Sequence, residues 1–158
     1  MTSSADVASE NVRNVTEEEI NRQIDAKIEE SIRFYATQSP DAISKRINEL
    51  DQEWDIERRL MMIASGVGLS TVLLSFLGGG KKWLLLTGTA MGFLMNHALR
   101  GWCPPVPLLR KLGVRTRNEI EREKNALKVL RGDFQLPPNK LEQLKTNPAQ
   151  DVLRSVTT

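Results

Sequence analysis

The sequence has one cysteine, Cys103, and one histidine, His97, among its 158 residues. A single cysteine excludes an intramolecular disulfide and a metal site built from a cysteine cluster. No phosphate-binding glycine loop, catalytic triad or metal-ligand spacing occurs, so we expect no enzyme activity, cofactor or metal. Residues 1–14 are polar and contain no apolar segment, so we expect no signal peptide.

Aromatic residues make up 5% of the chain, too few for a second large core outside its most apolar stretch. Charge is divided unevenly along the sequence. Residues 1–59 carry 8 Lys and Arg against 14 Asp and Glu, whereas residues 100–158 carry 12 against 6. The balances of −6 and +6 predict an acidic arm and a basic arm that attract each other.

Two apolar runs lie between these arms. Residues 60–80 contain no ionisable side chain, and residues 83–99 contain only His97. As helices they would span roughly 32 Å and 26 Å, against roughly 30 Å for the hydrocarbon core of a bilayer. The second run is long enough only if Arg100 snorkels and residues 101–103 extend it. We therefore expect a transmembrane hairpin over 60–103, with spans at about 60–80 and 83–100. A soluble, buried hairpin is the alternative.

Residues suited to a membrane interface flank both runs. Basic side chains are more numerous outside the hairpin than at its turn, which predicts both termini in the cytoplasm of a bacterial-type inner membrane. Leu99 should lie level with Leu60, so that Arg100 could pair with Glu57 or Asp55. The expected interface residues are Trp54, Glu57, Arg58, Arg59, Trp83, His97, Arg100 and Trp102.

Small residues recur four apart within the runs. Such residues let helices approach closely in lipid, where hydrophobic burial does not drive association. They could join the two helices of the hairpin or neighbouring protomers of a homo-oligomer. The residues are Ala64, Gly66, Gly68, Ser70, Gly88 and Gly92.

The acidic arm, residues 16–59, is predicted to be helical and amphipathic, after a disordered segment over 1–15. Ser39 and Pro40 have the pattern of a helix start. From there, we expect an apolar stripe through Ile43, Ile47 and Leu50 to continue unbroken into the first span.

The basic arm, residues 104–134, begins with three prolines that are expected to exclude a regular helix. A helix should follow from Thr116 to about Arg131, with Gly132 ending it. Its interspersed glutamates argue against nucleic acid as a partner. A loosely ordered tail is expected over 135–158.

The sequence thus predicts an all-α protein, a two-helix transmembrane hairpin with long amphipathic cytoplasmic helices before and after it. Its arginine-bearing start at 57–60, its Gly101-Trp102-Cys103-Pro104 junction and its continuation over 108–113 resemble the YgaP-like transmembrane family. That resemblance implies a two-helix membrane domain of largely unassigned function, in a longer stand-alone form. Some relatives carry a rhodanese domain, which implies sulfur transfer. This chain has no second cysteine for such a site, so that activity is not carried over.

The function expected from these patterns is a non-enzymatic membrane scaffold or assembly factor. Its partners would be the lipid bilayer, further copies of the chain, or an unidentified protein that contacts the arms. The alternative is a sulfur-handling or thiol redox component acting through Cys103, since the nearby His97 and Arg100 could favour a thiolate. A packing role for Cys103 is the simpler interpretation.

Overall fold

A computed structural model describes residues 4–133, and every regular element in that range is helical. The all-α prediction is therefore confirmed for this part of the chain, whereas the predicted tail over 135–158 lies outside it. A π-helical turn over Ser75–Gly79 follows the fourth helix. The α-helices are α1 (Ser4–Asn14), α2 (Glu18–Tyr35), α3 (Pro40–Gln52), α4 (Ile56–Leu74), α5 (Lys82–Arg100), α6 (Pro105–Lys111) and α7 (Arg117–Arg131).

The chain divides into two compact units, each built from two separate stretches of sequence. Unit 1 is described over residues 4–20 and 54–117, and unit 2 over 21–53 and 118–133. The apolar stretch therefore belongs to unit 1, and most of the two charged arms belongs to unit 2.

Unit 1 has a small core that joins α1, α4 and α6. It is formed by Val12, Ile56, Leu60, Cys103, Val106, Leu109 and Val114. The predicted disorder over 1–15 is wrong for the described residues, because α1 covers Ser4–Asn14. Val12 and Ser9 of this helix are buried. Tertiary contacts of this kind stabilise a helix that periodicity alone does not indicate.

Helices α4 and α5 lie side by side and run in opposite directions. The Thr71 and Thr87 hydroxyl oxygens are 2.6 Å apart, and Glu57 near the start of α4 reaches His97 near the end of α5. Among the described residues, one stretch within Pro40–Gly78, in the part that contains α4 and the π-helical turn, is long and apolar enough to cross a membrane. By length and composition, α5 does not reach that standard, so these criteria support one span where the sequence predicted two.

The reversal between α4 and α5 depends on glycine. Gly78 and Gly80 have φ angles of 97° and 77°, in the region that side chains with a Cβ rarely adopt. The glycine and lysine hinge predicted at 78–82 is therefore where the chain turns.

Two helix boundaries differ from the prediction. The acidic arm does not continue unbroken into the apolar segment, because residues 53–55 are not helical and Asp55 caps α4, accepting a hydrogen bond from the Arg58 backbone N–H at 2.8 Å. The prolines after Cys103 do not exclude a helix, because α6 begins at Pro105. Prolines are tolerated in a first turn, where backbone N–H groups have no intrahelical acceptor.

Unit 2 packs helices of the acidic arm against the basic arm. Ser39 caps α3 as predicted, accepting a hydrogen bond from the Ala42 backbone N–H. The core of the unit consists of Ile43, Ile47 and Leu50 of α3 with Ile120 and Leu127 of α7. The buried face of α2 consists of Ile24, Ile28 and Ile32.

Charged side chains also join the two arms within unit 2. Lys124 Nζ lies 3.0 Å from Asp51 Oδ1, and Arg122 Nη1 lies 3.6 Å from Asp25 Oδ1. Burial alone would lower the pKa of Lys124, but its hydrogen bonds to Glu121 and Asp51 outweigh that effect and raise it. The opposite charges of the arms are thus paired within one protomer.

Candidate functional site

The most distinctive surface of unit 1 is the exposed apolar face of α4, the π-helical turn and α5. At the turn, Phe76 is 86% exposed and Leu77 is 82% exposed. Only 17% of the apolar window within Pro40–Gly78 is buried, whereas the core helix of a soluble protein is mostly buried. Water-soluble monomers rarely expose a continuous apolar patch of this kind. Other large exposed members are Met61, Met62, Leu69, Leu73, Leu85, Met95 and Leu99.

The predicted small residues divide into two groups. Gly68 is buried against α5, where an added Cβ would lie 3.5 Å from Met91 Cε, and Ala64 is half-buried. The other four residues, Gly66, Ser70, Gly88 and Gly92, are exposed. At each of the three glycines in this group, an added Cβ would meet no atom within 4 Å. Only Ala64 and Gly68 therefore have the packing environment expected between the two helices.

The predicted pairing of Arg100 with Glu57 or Asp55 is replaced by a contact one turn earlier. His97 Nε2 lies 2.9 Å from Glu57 Oε2, and the His97 side chain is buried. Asp55 instead caps α4, and Arg100 is exposed. The antiparallel register was predicted closely, but the rotation of α5 directs His97 rather than Arg100 towards Glu57.

Aromatic and basic side chains gather where α4 begins and α5 ends. The guanidinium carbon of Arg58 lies 4.2 Å from the centre of the Trp54 ring, within cation–π range. Arg59 Nε donates a hydrogen bond to the Trp54 carbonyl at 3.2 Å. Trp102 contacts Phe93 edge to face, with ring centres 6.3 Å apart. Of the predicted anchors, Trp54 and Trp102 are exposed, and Trp83 is half-buried.

Cys103 follows α5 and lies on the wall of a cavity of about 220 Å³. The lining is almost wholly apolar and includes Leu60, Ala64, Phe93, Leu94 and Pro104. Burial raises the pKa of the Cys103 thiol above its ordinary value. A raised pKa reduces the thiolate fraction at neutral pH, and only the thiolate is a strong nucleophile. The site therefore favours the packing role over the alternative, activation of the thiol by His97 and Arg100.

No group of three or more His, Cys, Asp or Glu side chains within residues 4–133 is arranged to hold a metal ion. Sequence reasoning missed two buried charges that organise the units. Arg110 is fully buried in unit 1 and donates a hydrogen bond to the Val114 carbonyl at 3.1 Å. Glu123 is fully buried in unit 2 and accepts hydrogen bonds from Ser31 and Arg46. In the sequence Glu123 looks like an ordinary member of a charged helix, and Arg110 like one of the basic residues that follow the second apolar run.

Comparison of the chain with protein-family models, with curated proteins and with solved structures gave no match.

Proposed function

We propose that this chain is an integral membrane protein that holds a helical bundle at the membrane surface as a scaffold or assembly factor. In this proposal, α4 and α5 form a transmembrane hairpin with both termini in the cytoplasm, and unit 2 is the part that meets other proteins. The resemblance of residues 57–60 and 101–113 to the YgaP-like family is consistent with such a hairpin.

The observation that carries the proposal is the exposed apolar surface of α4 and α5. Large side chains such as Phe76 and Leu77 are buried favourably only against lipid or another apolar surface. Although α5 is short for a span, Arg100 at its end can snorkel towards lipid headgroups. Lys81 and Lys82 are exposed at the turn, where they would meet the opposite headgroup layer.

A binding role for unit 2 is supported by one exposed aromatic residue. Phe34 is 59% exposed, and it is the only large apolar side chain classed as exposed in the described part of unit 2. Its ring contacts Tyr35 edge to face, with centres 5.1 Å apart. Aromatic residues, phenylalanine included, are more frequent in protein–protein interfaces than on the rest of the surface.

Site-specific photocrosslinking in intact cells tests this function. A benzoylphenylalanine at position 34 should form a discrete covalent adduct, and one at the exposed Lys45 of α3 should not. An adduct of twice the chain mass would identify a second copy as the partner, and another mass would identify a different protein. If membrane-integrated protein forms no adduct from position 34, or equal adducts from both positions, the assembly function is wrong.

A thiol redox or sulfur-handling function of Cys103 is the second candidate. It is favoured by the accessible volume of the apolar cavity beside the thiol and disfavoured by the raised pKa of Cys103. A Cys103→Ala variant that keeps the position-34 adduct would separate the two functions.

A further inference from the structure

The short helix α6 has an exposed apolar face that the core of unit 1 does not use. Its inner side places Val106, Leu109 and Arg110 in the interior. On its outer side Leu108 is 61% exposed, and Leu112, which directly follows the helix and donates its backbone N–H to the Leu108 carbonyl, is 71% exposed. Two leucines four residues apart lie on one face of a helix, so this outer side presents a small apolar ridge.

The ridge belongs to the same end of unit 1 as the last turn of α5. Leu99 and Trp102, which precede α6 in the chain, are also exposed. Gly101 ends α5 with a φ angle of 73°, and α6 begins four residues later at Pro105. The exposed apolar surface therefore continues along the chain from the end of α5 into α6.

The electrostatic character of this region is basic. Residues 58–118 contain no Asp or Glu, and Arg100 at the end of α5 and Lys111 at the end of α6 are exposed. Lys111 Nζ lies 3.8 Å from Glu17 Oε1 in an exposed ion pair, and an exposed pair of this kind is weak. At the end of α5, Glu57 contacts His97 and leaves Arg100 exposed. A surface with leucines, a tryptophan and cationic side chains matches the boundary between acyl chains and anionic headgroups.

We propose that α6 lies in the plane of the membrane surface and binds anionic phospholipid, with Leu108 and Leu112 inserted below the headgroups. This inference rests on the proposed insertion of α4 and α5. Lys111 and Arg100 contact the phosphates, and Trp102 lies at the level of the headgroups. Helix α6 is held in this position because its inner side is part of the unit 1 core.

Depth-dependent fluorescence quenching tests the inference on the full chain. Single cysteines carrying an NBD label are introduced at positions 108, 112, 73 and 117 in a Cys103→Ala background. The proteins are reconstituted in phosphatidylcholine and phosphatidylglycerol vesicles that contain lipids brominated either near the headgroup or near the chain end. Leu73 is an exposed residue of α4 and reports insertion, and Arg117 is an exposed residue at the start of α7 and reports water.

Labels at 108 and 112 should be quenched several-fold more strongly than the label at 117, and more by shallow bromines than by deep ones. The label at 73 should show the opposite depth order. Quenching of the label at 108 should be stronger in vesicles that contain phosphatidylglycerol than in vesicles of phosphatidylcholine alone. The Lys111→Gln substitution should make this difference smaller.

The outcomes separate the inference from the proposed function. Quenching at 73 with no excess at 108 and 112 over 117 would overturn the surface position of α6 and leave the insertion of α4 intact. No quenching at 73 would overturn the insertion, and the inference with it. An NBD blue shift at 108 that disappears when the protein-to-lipid ratio is lowered, without bromine quenching, would identify a second copy as the occupant and overturn lipid binding.

Discussion

Cys103 is the residue that distinguishes a packing role from thiol chemistry. Its burial raises the pKa of the thiol, because an apolar environment disfavours the thiolate. We expect alkylation by bimane in membranes to be slow at neutral pH and to accelerate only at a higher pH than for an exposed thiol. The matched control is Arg117→Cys in a Cys103→Ala background, since Arg117 is exposed. A Cys103 midpoint at or below that of the control would support the redox function.

Other residue roles show what sequence can and cannot indicate. Trp54, Trp102 and Arg58 are predicted membrane-interface residues. The structure places them at the start of α4 and just after α5, and their position at a membrane interface stays a prediction. The partner of Glu57 was predicted wrongly, because a difference of less than one turn in α5 exchanges Arg100 for His97. The number of residues from the turn determines which residues of α4 and α5 lie at the same height along the helix axes. The rotation of each helix about its own axis depends on packing along the full length of both helices.

At the scale of elements, local signals predicted some helix ends and tertiary contacts determined others. The Ser39 cap and the apolar stripe of α3 were predictable because each depends on residues three or four apart. The start of α4 at Asp55 has the same kind of signal, an N-cap residue before an apolar run, although the sequence prediction continues one helix through this position. Helix α1 has no such signal, because it depends on burial of Val12 against residues far along the chain.

Gly101 provides a test of how α1 is held. An added Cβ would lie 2.6 Å from the Asn11 backbone carbon, and the φ angle of 73° alone would cost roughly 1–2 kcal/mol for an L side chain. We expect Gly101→Ala to destabilise unit 1 by more than this amount and to increase amide hydrogen exchange across α1.

Gly132→Ala is the control, because Gly132 has a φ angle of 91° but nothing within 4 Å of an added Cβ. It should show the backbone cost only and leave exchange in α1 unchanged. Equal destabilisation by both variants, with no change in α1, would show that the Asn11 contact does not hold the helix.

At the scale of the whole molecule, the chain separates an apolar hairpin-like pair from a closed bundle of charged helices. The −6 and +6 charge balances predicted that the arms attract, and residues such as Lys124 and Asp51 form that contact within one chain. The sequence did not predict how the chain is partitioned, because unit 1 also includes α1 and α6. Such long-range contacts leave no periodic pattern.

The central claim is that α4 and α5 cross a membrane with their turn on one side and both arms on the other. It is tested most directly by labelling with a membrane-impermeant maleimide in a Cys103→Ala background. Lys81→Cys is placed at the turn and Asn48→Cys on the exposed side of α3. The account predicts that position 81 is labelled in intact cells and position 48 only after permeabilisation. Labelling of both positions in intact cells, or of neither, would contradict it.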